Sequence, residues 1–348
     1  MNRILTMRRL GLALAVLAIA LPGWAQNADM SLLHYSGRDR MERIIAAAKK
    51  EGTVAIYEST NAKDFSRFVK PFEEKYGIKV STWRAGCVNL LQRTVAEARG
   101  NTYKADLINS CPTQMEALSR EKILQPVDSP TFKDLIPGAV PKHHEWATVL
   151  LTPFVMAYNT NLVKKEDLPK TYRDLLDPKW KGKLGIEATD YDWLAIVTAQ
   201  LGGEPGVQLF RDIVARNGIM VRQGHSLLGN LVAAGDIPLA LTVYQYNAVQ
   251  LKRGGAPVDW FTLDPAVTYS SAIGITRHAV HPNAALLFYE FMIGDTQNPV
   301  ADMDYLPSNT RVDSRLKNTK INLIDAGVAI DEQDKRLDLF MDLMVRRK

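Results

Sequence analysis

The chain has 348 residues, 43 Lys and Arg against 38 Asp and Glu, 46% hydrophobic residues and two cysteines. This near balance of charge argues against a nucleic-acid binder, which gathers Lys and Arg on one face, and two cysteines are too few for a disulfide framework to replace a core. The length exceeds one typical core and points to two globular domains.

The first 25 residues read as a secretory signal peptide. Arg3, Arg8 and Arg9 make a basic start, Leu10 to Leu21 is almost unbroken apolar chain, and Gly23-Trp24-Ala25 offers small residues for cleavage after Ala25. The apolar run is too short to span a bilayer, which takes about 20 residues. No cysteine stands near the cut to accept lipid, so the expected product is a soluble periplasmic protein. Cleavage removes three arginines and no acid, so the formal charge of +5 becomes +2.

After a polar leader, Met41 to Lys50 has helical spacing, with Ile44, Ile45 and Ala48 on one face. Thr53 to Tyr57 is a short buried-type strand, and Phe65, Phe68, Val69 and Phe72 form the stripe of the next helix, stopped at Gly77. Ile78 to Trp83 is a second strand, Leu90 to Ala98 a helix, Ala105 to Asn109 a third strand and Pro112 to Arg120 a further helix. This alternation builds a parallel α/β sheet. Residues 125 to 148 read as a surface connection, and Phe154 to Tyr158 as an isolated strand. A second alternation follows: strands at Lys183 to Glu187, Ile219 to Val221 and Pro238 to Val243, helices at Trp193 to Leu201, Val207 to Arg216 and Leu227 to Ala234. Ala256 to Leu263 and Ser271 to Thr276 carry the chain back, Pro282 to Met292 is an apolar helix, and 313 to 346 is expected to be charged amphipathic helix. The expected fold is a two-lobed α/β protein. The first lobe holds 40–154 and 265–312, the second 155–264, and the helices of 313–348 pack on a lobe. The crossings fall near Phe154 to Tyr158 and Trp260 to Asp264.

In an open parallel sheet, ligands bind beyond the carboxyl ends of the strands, where helix N-termini present free N–H groups. In the first lobe those loops hold Ser59, Thr60 and Asn61, then Arg84 to Cys87, then Ser110 and Cys111. In the second they hold Asp190 and Tyr191, then His225 and Ser226, then Tyr244 and Tyr246, with Trp193 close behind. Small hydroxyl and amide residues beside aromatic ones suit a small polar organic ligand. Each Ser, Thr or Asn also reads as an ordinary helix cap, and Trp193 as core packing. Arg84 has the guanidinium fork for a carboxylate or phosphate, or forms a structural ion pair. His143-His144 lacks accompanying ligands and reads as a solvated loop, so no metal is assigned, and no cofactor is implied. No G-x-S-x-G, Walker loop or H-E-x-x-H occurs in the chain.

Cys87 and Cys111 are 24 positions apart, each just past an expected strand end. Neighbouring strands lie about 4.8 Å apart, and a disulfide needs Cα atoms about 4.4–6.8 Å apart. A bridge is therefore geometrically reasonable in an oxidising compartment. The competing reading is two free thiols.

Between about Arg43 and Val312 the chain resembles the bacterial extracellular solute-binding proteins of ABC importers. The group includes ferric-ion binders and binders of phosphorylated or other organic solutes. The resemblance rests on FEEKYGIKV (72–80), WRAG followed by LLQRTVAEARG (83–100), AYNTNLV (157–163) and PKWKGKLGI (178–186), and then on GHSLLGNLVAAGDIPLALTVYQY (224–246), GAPVDW (255–260), HPNAALLFYEFM (281–292) and YLPSNTRVD (305–313). It implies the type II periplasmic-binding fold, with ligand held between two lobes hinged on two crossing strands. It also implies a membrane permease as partner and a monomer that captures solute without catalysis. The ferric members carry two adjacent tyrosines where this chain has Tyr244-Gln245-Tyr246. An anionic organic ligand is therefore the leading expectation. Ferric-ion capture is the first alternative, and a secreted hydrolase or isomerase the second.

Overall fold

The computed structural model describes residues 30–313 and 321–346, so the expected leader and its cleavage site lie outside the described residues. The first half opens with α1 (Arg40–Glu51), β1 (Thr53–Glu58), α2 (Ala62–Tyr76), β2 (Lys79–Arg84), α3 (Cys87–Arg99), β3 (Leu107–Ser110), α4 (Pro112–Arg120) and β4 (Leu124–Gln125). Gly52 and Gly77 end α1 and α2 at φ 68° and 71°, a left-handed backbone that glycine adopts without a Cβ penalty. The aromatic stripe Phe65, Phe68 and Phe72 buries against Phe288 and Phe291.

The long strand β5 (Ala147–Asn159) comes next. The second half continues with β6 (Leu184–Glu187), α5 (Tyr191–Gln200), α6 (Glu204–Asn217), β7 (Met220–Arg222), α7 (His225–Ala234), β8 (Leu239–Tyr244), α8 (Gln245–Arg253) and β9 (Val258–Phe261). The chain returns through β10 (Ala266–Thr276), α9 (Pro282–Ile293), α10 (Gln297–Asp302) and β11 (Leu306–Pro307). It ends in β12 (Ile321–Leu323), α11 (Ala326–Asp331), α12 (Gln333–Phe340) and a π turn at Met341–Val345.

The strand order is β2-β1-β3-β10-β5-β8-β6-β7, with β4 and β12 on β10, and β9 and β11 on β5. Residues up to Pro153 of β5 pair with β10 and β11, whereas Phe154 to Asn159 pair with β8 and β9. The pairing thus passes from one half to the other within β5, and the division between halves falls inside one strand. Pro153 stands where β5 changes partners. A residue without an N–H is tolerated there because β5 exchanges one set of neighbours for another at that point. The expected isolated strand Phe154 to Tyr158 is the second half of this thirteen-residue strand. The second crossing lies in β10, where Val267 joins the core of the second half and Ala272 that of the first. That is a few residues beyond the expected Trp260 to Asp264. The difference arises because β9 first runs back along the far end of β5. The tail, expected to be helical, also holds among the described residues the strand β12, which pairs with β10.

Helices α5 and α6 pack closely because Gly206 lies against the carbonyl of Thr198. A Cβ at 206 would meet main chain, which cannot swing away. Gly206→Ala should therefore push α6 off α5 and cost about 1–3 kcal/mol by overpacking. Urea unfolding of the variant beside the wild type measures this, and an unchanged midpoint would show that the helices have slack.

Candidate functional site

A cavity of about 320 Å³ lies between the halves. Gly86, Cys87, Val88 and Asn89 at the start of α3, with Gln114 in the first turn of α4, line one side. Thr189 to Trp193 at the start of α5, and Tyr244 at the end of β8, line the other. Phe154 of β5 and Tyr269 of β10, from the crossing strands, form the floor. A larger cavity of about 860 Å³ is bordered by 136–146, 306–312 and the tail residues 323–327, so it is not formed between the two sets of strand ends.

Each wall is fixed by its own device. On the first side a disulfide joins Cys87 to Cys111 with Cα atoms 5.8 Å apart, which ties the start of α3 to the start of α4. On the second, Glu187 at the end of β6 accepts hydrogen bonds from the Thr189 N–H and hydroxyl and from the Gly224 N–H. One buried carboxylate therefore gathers the loops before α5 and α7. His225 stands 3.1 Å from Asp190 and stacks on Tyr244 with centroids 3.8 Å apart. Burial works against a charge on His225, but Asp190 and Glu187 outweigh it and raise its pKa. Burial likewise drives the Tyr244 phenol well above its ordinary value. Asp192, also raised by burial, is held by Arg336 at 2.8 Å.

The side chains of Glu187, Asp190 and His225 bring their potential ligand atoms within 4.8 Å of one another. They are the set among the described residues that could hold a cation. Both Glu187 oxygens already accept hydrogen bonds, and Asp190 faces His225. The trio as it stands is a hydrogen-bonded clasp.

Of the residues singled out from the sequence, the structure brings Cys87, Asp190, Tyr191, Trp193 and Tyr244 together on the cavity wall. Trp193 does double service, since it is also buried against Tyr172 and Phe210. The others stand outside the lining. Ser59 bonds the Asn109 carbonyl, Thr60 accepts from the Asn109 amide, and Asn61 caps α2. Arg84 donates to the Thr60 carbonyl at 2.6 Å. Ser110 ends β3, and Cys111, the far half of the disulfide, occupies the position before α4. Ser226 lies in the first turn of α7, and Tyr246 turns away to pack on Tyr305 at 4.7 Å. Sequence reasoning missed Val88, Asn89, Gln114, Phe154, Asp192 and Tyr269. Collecting loops cannot find Phe154 and Tyr269, because the crossing strands supply them. Gln114 could have been found as a first-turn residue of the helix after Cys111.

The first half also holds polar atoms without partners. Glu58 at the end of β1 is 2% exposed, and one of its carboxyl oxygens has no hydrogen-bond partner. The hydroxyl of fully buried Ser110 and the Gln114 amide oxygen are likewise unpartnered. Burial pushes the Glu58 pKa up to about 7, against the pull of Arg84 and the Thr60 N–H.

The family model for bacterial extracellular solute-binding proteins matches residues 58–299. The Fe(3+)-binding periplasmic protein of Serratia marcescens is 25% identical over 257 residues, 71% of this chain and 75% of that protein. The major ferric iron-binding protein of Neisseria gonorrhoeae is 24% identical over 272 residues, 72% and 78% of the two chains. Iron-bound HitA from Pseudomonas aeruginosa superposes with a TM-score of 0.71 at 20% identity, over 84% of this chain and 99% of that one. AfuA from Actinobacillus pleuropneumoniae, with exogenous fructose-6-phosphate bound, gives 0.68 at 23% identity over 84% and 99%. The architecture is the two-lobed type II periplasmic-binding fold.

The raised Glu58 pKa makes folding take up a proton. In the unfolded chain this carboxyl ionises near its ordinary value, while in the folded protein it stays protonated up to about pH 7. Its contribution to stability is full below the unfolded value and is lost as pH rises through about 7. Glu58→Gln should therefore gain stability relative to wild type between about pH 5 and about pH 8. Chemical unfolding of both proteins across that range reads the difference, and a pH-independent difference would place the carboxyl in a solvated setting.

Proposed function

Because the chain belongs to the bacterial extracellular solute-binding proteins, the periplasmic capture components of ABC importers, we propose that its cleft takes a small organic anion for delivery to a membrane permease. The observation that carries this reading is the pairing of walls. One wall is the N-terminal turn of α3, whose N–H groups at Cys87, Val88 and Asn89 have no carbonyl one turn back to bond. Together they present about half a positive charge. Across the cavity stand Phe154, Tyr191, Trp193, Tyr244 and Tyr269. No Lys or Arg lines the space, and the two acids on its wall face His225 and Arg336. A carboxylate or phosphate seated on α3, with a flat or apolar body against the rings, uses every part of this surface. The unpartnered Gln114 amide favours a ligand that also carries a polar hydrogen.

The relatives named above are solute-binding proteins rather than enzymes, and capture without turnover fits a cleft that two separate cores surround. The proposed lobes are 40–154 with 265–312, and 155–264, and the mature chain would begin at Gln26 after removal of the leader. Intact mass of the secreted protein tests that start. After denaturation without reduction it should also take up no thiol label, given the Cys87–Cys111 bridge.

Ferric-ion capture is the second reading. The names of the Serratia and Neisseria relatives favour it, as do the Tyr244 and Tyr269 side chains beside Asp190 at the wall. Against it stands Tyr246, which packs on Tyr305 outside the cavity lining, so the phenols that accompany Tyr244 at the wall are Tyr191 and Tyr269 rather than a near neighbour in sequence. A thermal-shift screen of aromatic carboxylates, organic acids and sugar phosphates, beside a ferric titration, separates the two. An anion at one hundred times its dissociation constant should add about 2.7 kcal/mol of stability. A visible tyrosinate–iron band that disappears in Tyr244→Phe, with no anion shifting the midpoint, would replace the organic-anion reading by the ferric one.

A further inference from the structure

The tail beyond the family match, which ends at residue 299, touches both halves and the hinge between them. Strand β12 pairs in parallel with β10 at Ala266, Val267 and Thr268, where the returning chain crosses. Helix α11 then lies on α4: Ala326 joins the core that holds Met115 and Leu118, and Arg120 binds Asp331 at 2.6 Å. Helix α12 lies on α5, with Phe340 in the core that holds Trp193 and Leu194. Only Glu332 separates α11 from α12. The tail thus grips the two helices whose first turns face each other across the cavity.

The grip on α5 is a buried ion pair. Arg336 is 7% exposed and reaches Asp192 at 2.8 Å, while its other nitrogen meets Glu332 at 3.2 Å. Asp192 lines the cavity between Tyr191 and Trp193. One guanidinium therefore joins the link between lobes to the ligand wall.

We infer that residues 321–345 form a third connection between the lobes that limits how far the cleft opens, and that Arg336 is the positioning residue tying this connection to the Tyr191–Trp193 wall. Closure in a two-lobed binding fold is rotation of one packed body against another about the crossing strands. Two crossing strands alone leave that rotation free about a single axis. A one-residue joint between two helices, each fastened to a different body, shortens the range. It also makes the position of α5's first turn depend on the angle between lobes.

The test measures distances between lobes in the full mature chain without ligand, so its failure would leave the anion reading standing. Spin-labelled non-natural residues replace exposed Lys63 on α2 and Asn230 on α7, and pulsed electron resonance reads the distance distribution. Wild type should give one narrow population. An insert of about six Gly and Ser residues after Glu332, flexible at that composition, keeps both anchors and slackens only the joint. It should add a second, longer-distance population. Arg336→Met should do the same, and Arg336→Lys, which retains the charge, should restore most of the narrow population. A purely structural role would lower the melting midpoint of Arg336→Met while leaving the distribution narrow. If the insert variant melts as wild type does and keeps the wild-type distribution, the inference is overturned. Should Arg336→Met not fold, the insert variant decides.

Discussion

The rest of the structure depends on β5. All thirteen of its residues are buried, and it gives its first half to one sheet and its second half to the other. A strand with both faces and both edges covered has to be apolar or paired at every position. The sequence meets this with Ala147 to Asn159, in which the polar side-chain groups are two threonine hydroxyls, the Tyr158 phenol and the terminal Asn159. Asn159 is satisfied by donating to the Val232 and Ala233 carbonyls. Because β5 is common to both sheets, a register slip in one half would displace the other. The two halves share one alignment, and the cavity floor at Phe154 sits on the point of exchange.

The alternation of strand and helix was legible because each element carries a clean signal. The phenylalanine stripe of α2, its stop at Gly77 and the apolar run of β8 all read locally. The tail was less legible. Ile321-Asn322-Leu323 has no strand partner near it in sequence, and pairs with β10 only after the chain has folded. The extent of β5 was hidden by Pro153, which ordinarily ends a strand and here marks a change of partner.

At the site, the strand-end rule found helix starts well and side-chain directions poorly. Tyr244 and Tyr246 stand two apart, and one enters the cavity while the other crosses to Tyr305. No pattern in the sequence distinguishes them, although Tyr244 ends β8 and Tyr246 lies in the first turn of α8. Arg84 looked like an anion receptor because its charge is obvious in a sequence. The structure spends its Nε on a neighbouring carbonyl. Asp192 was missed for the opposite reason, because its partner Arg336 lies 144 positions away.

The positive end of the cavity is built from main-chain N–H groups at the start of α3, anchored by a disulfide rather than by a charged side chain. Most residues at 87–89 could be exchanged without deleting those donors, and no change of pH titrates them. The aromatic wall has no such protection, because each ring is a single codon. Divergence within this scaffold would therefore keep the positive potential of that end nearly constant while the shape of the opposite wall drifts, one ring at a time.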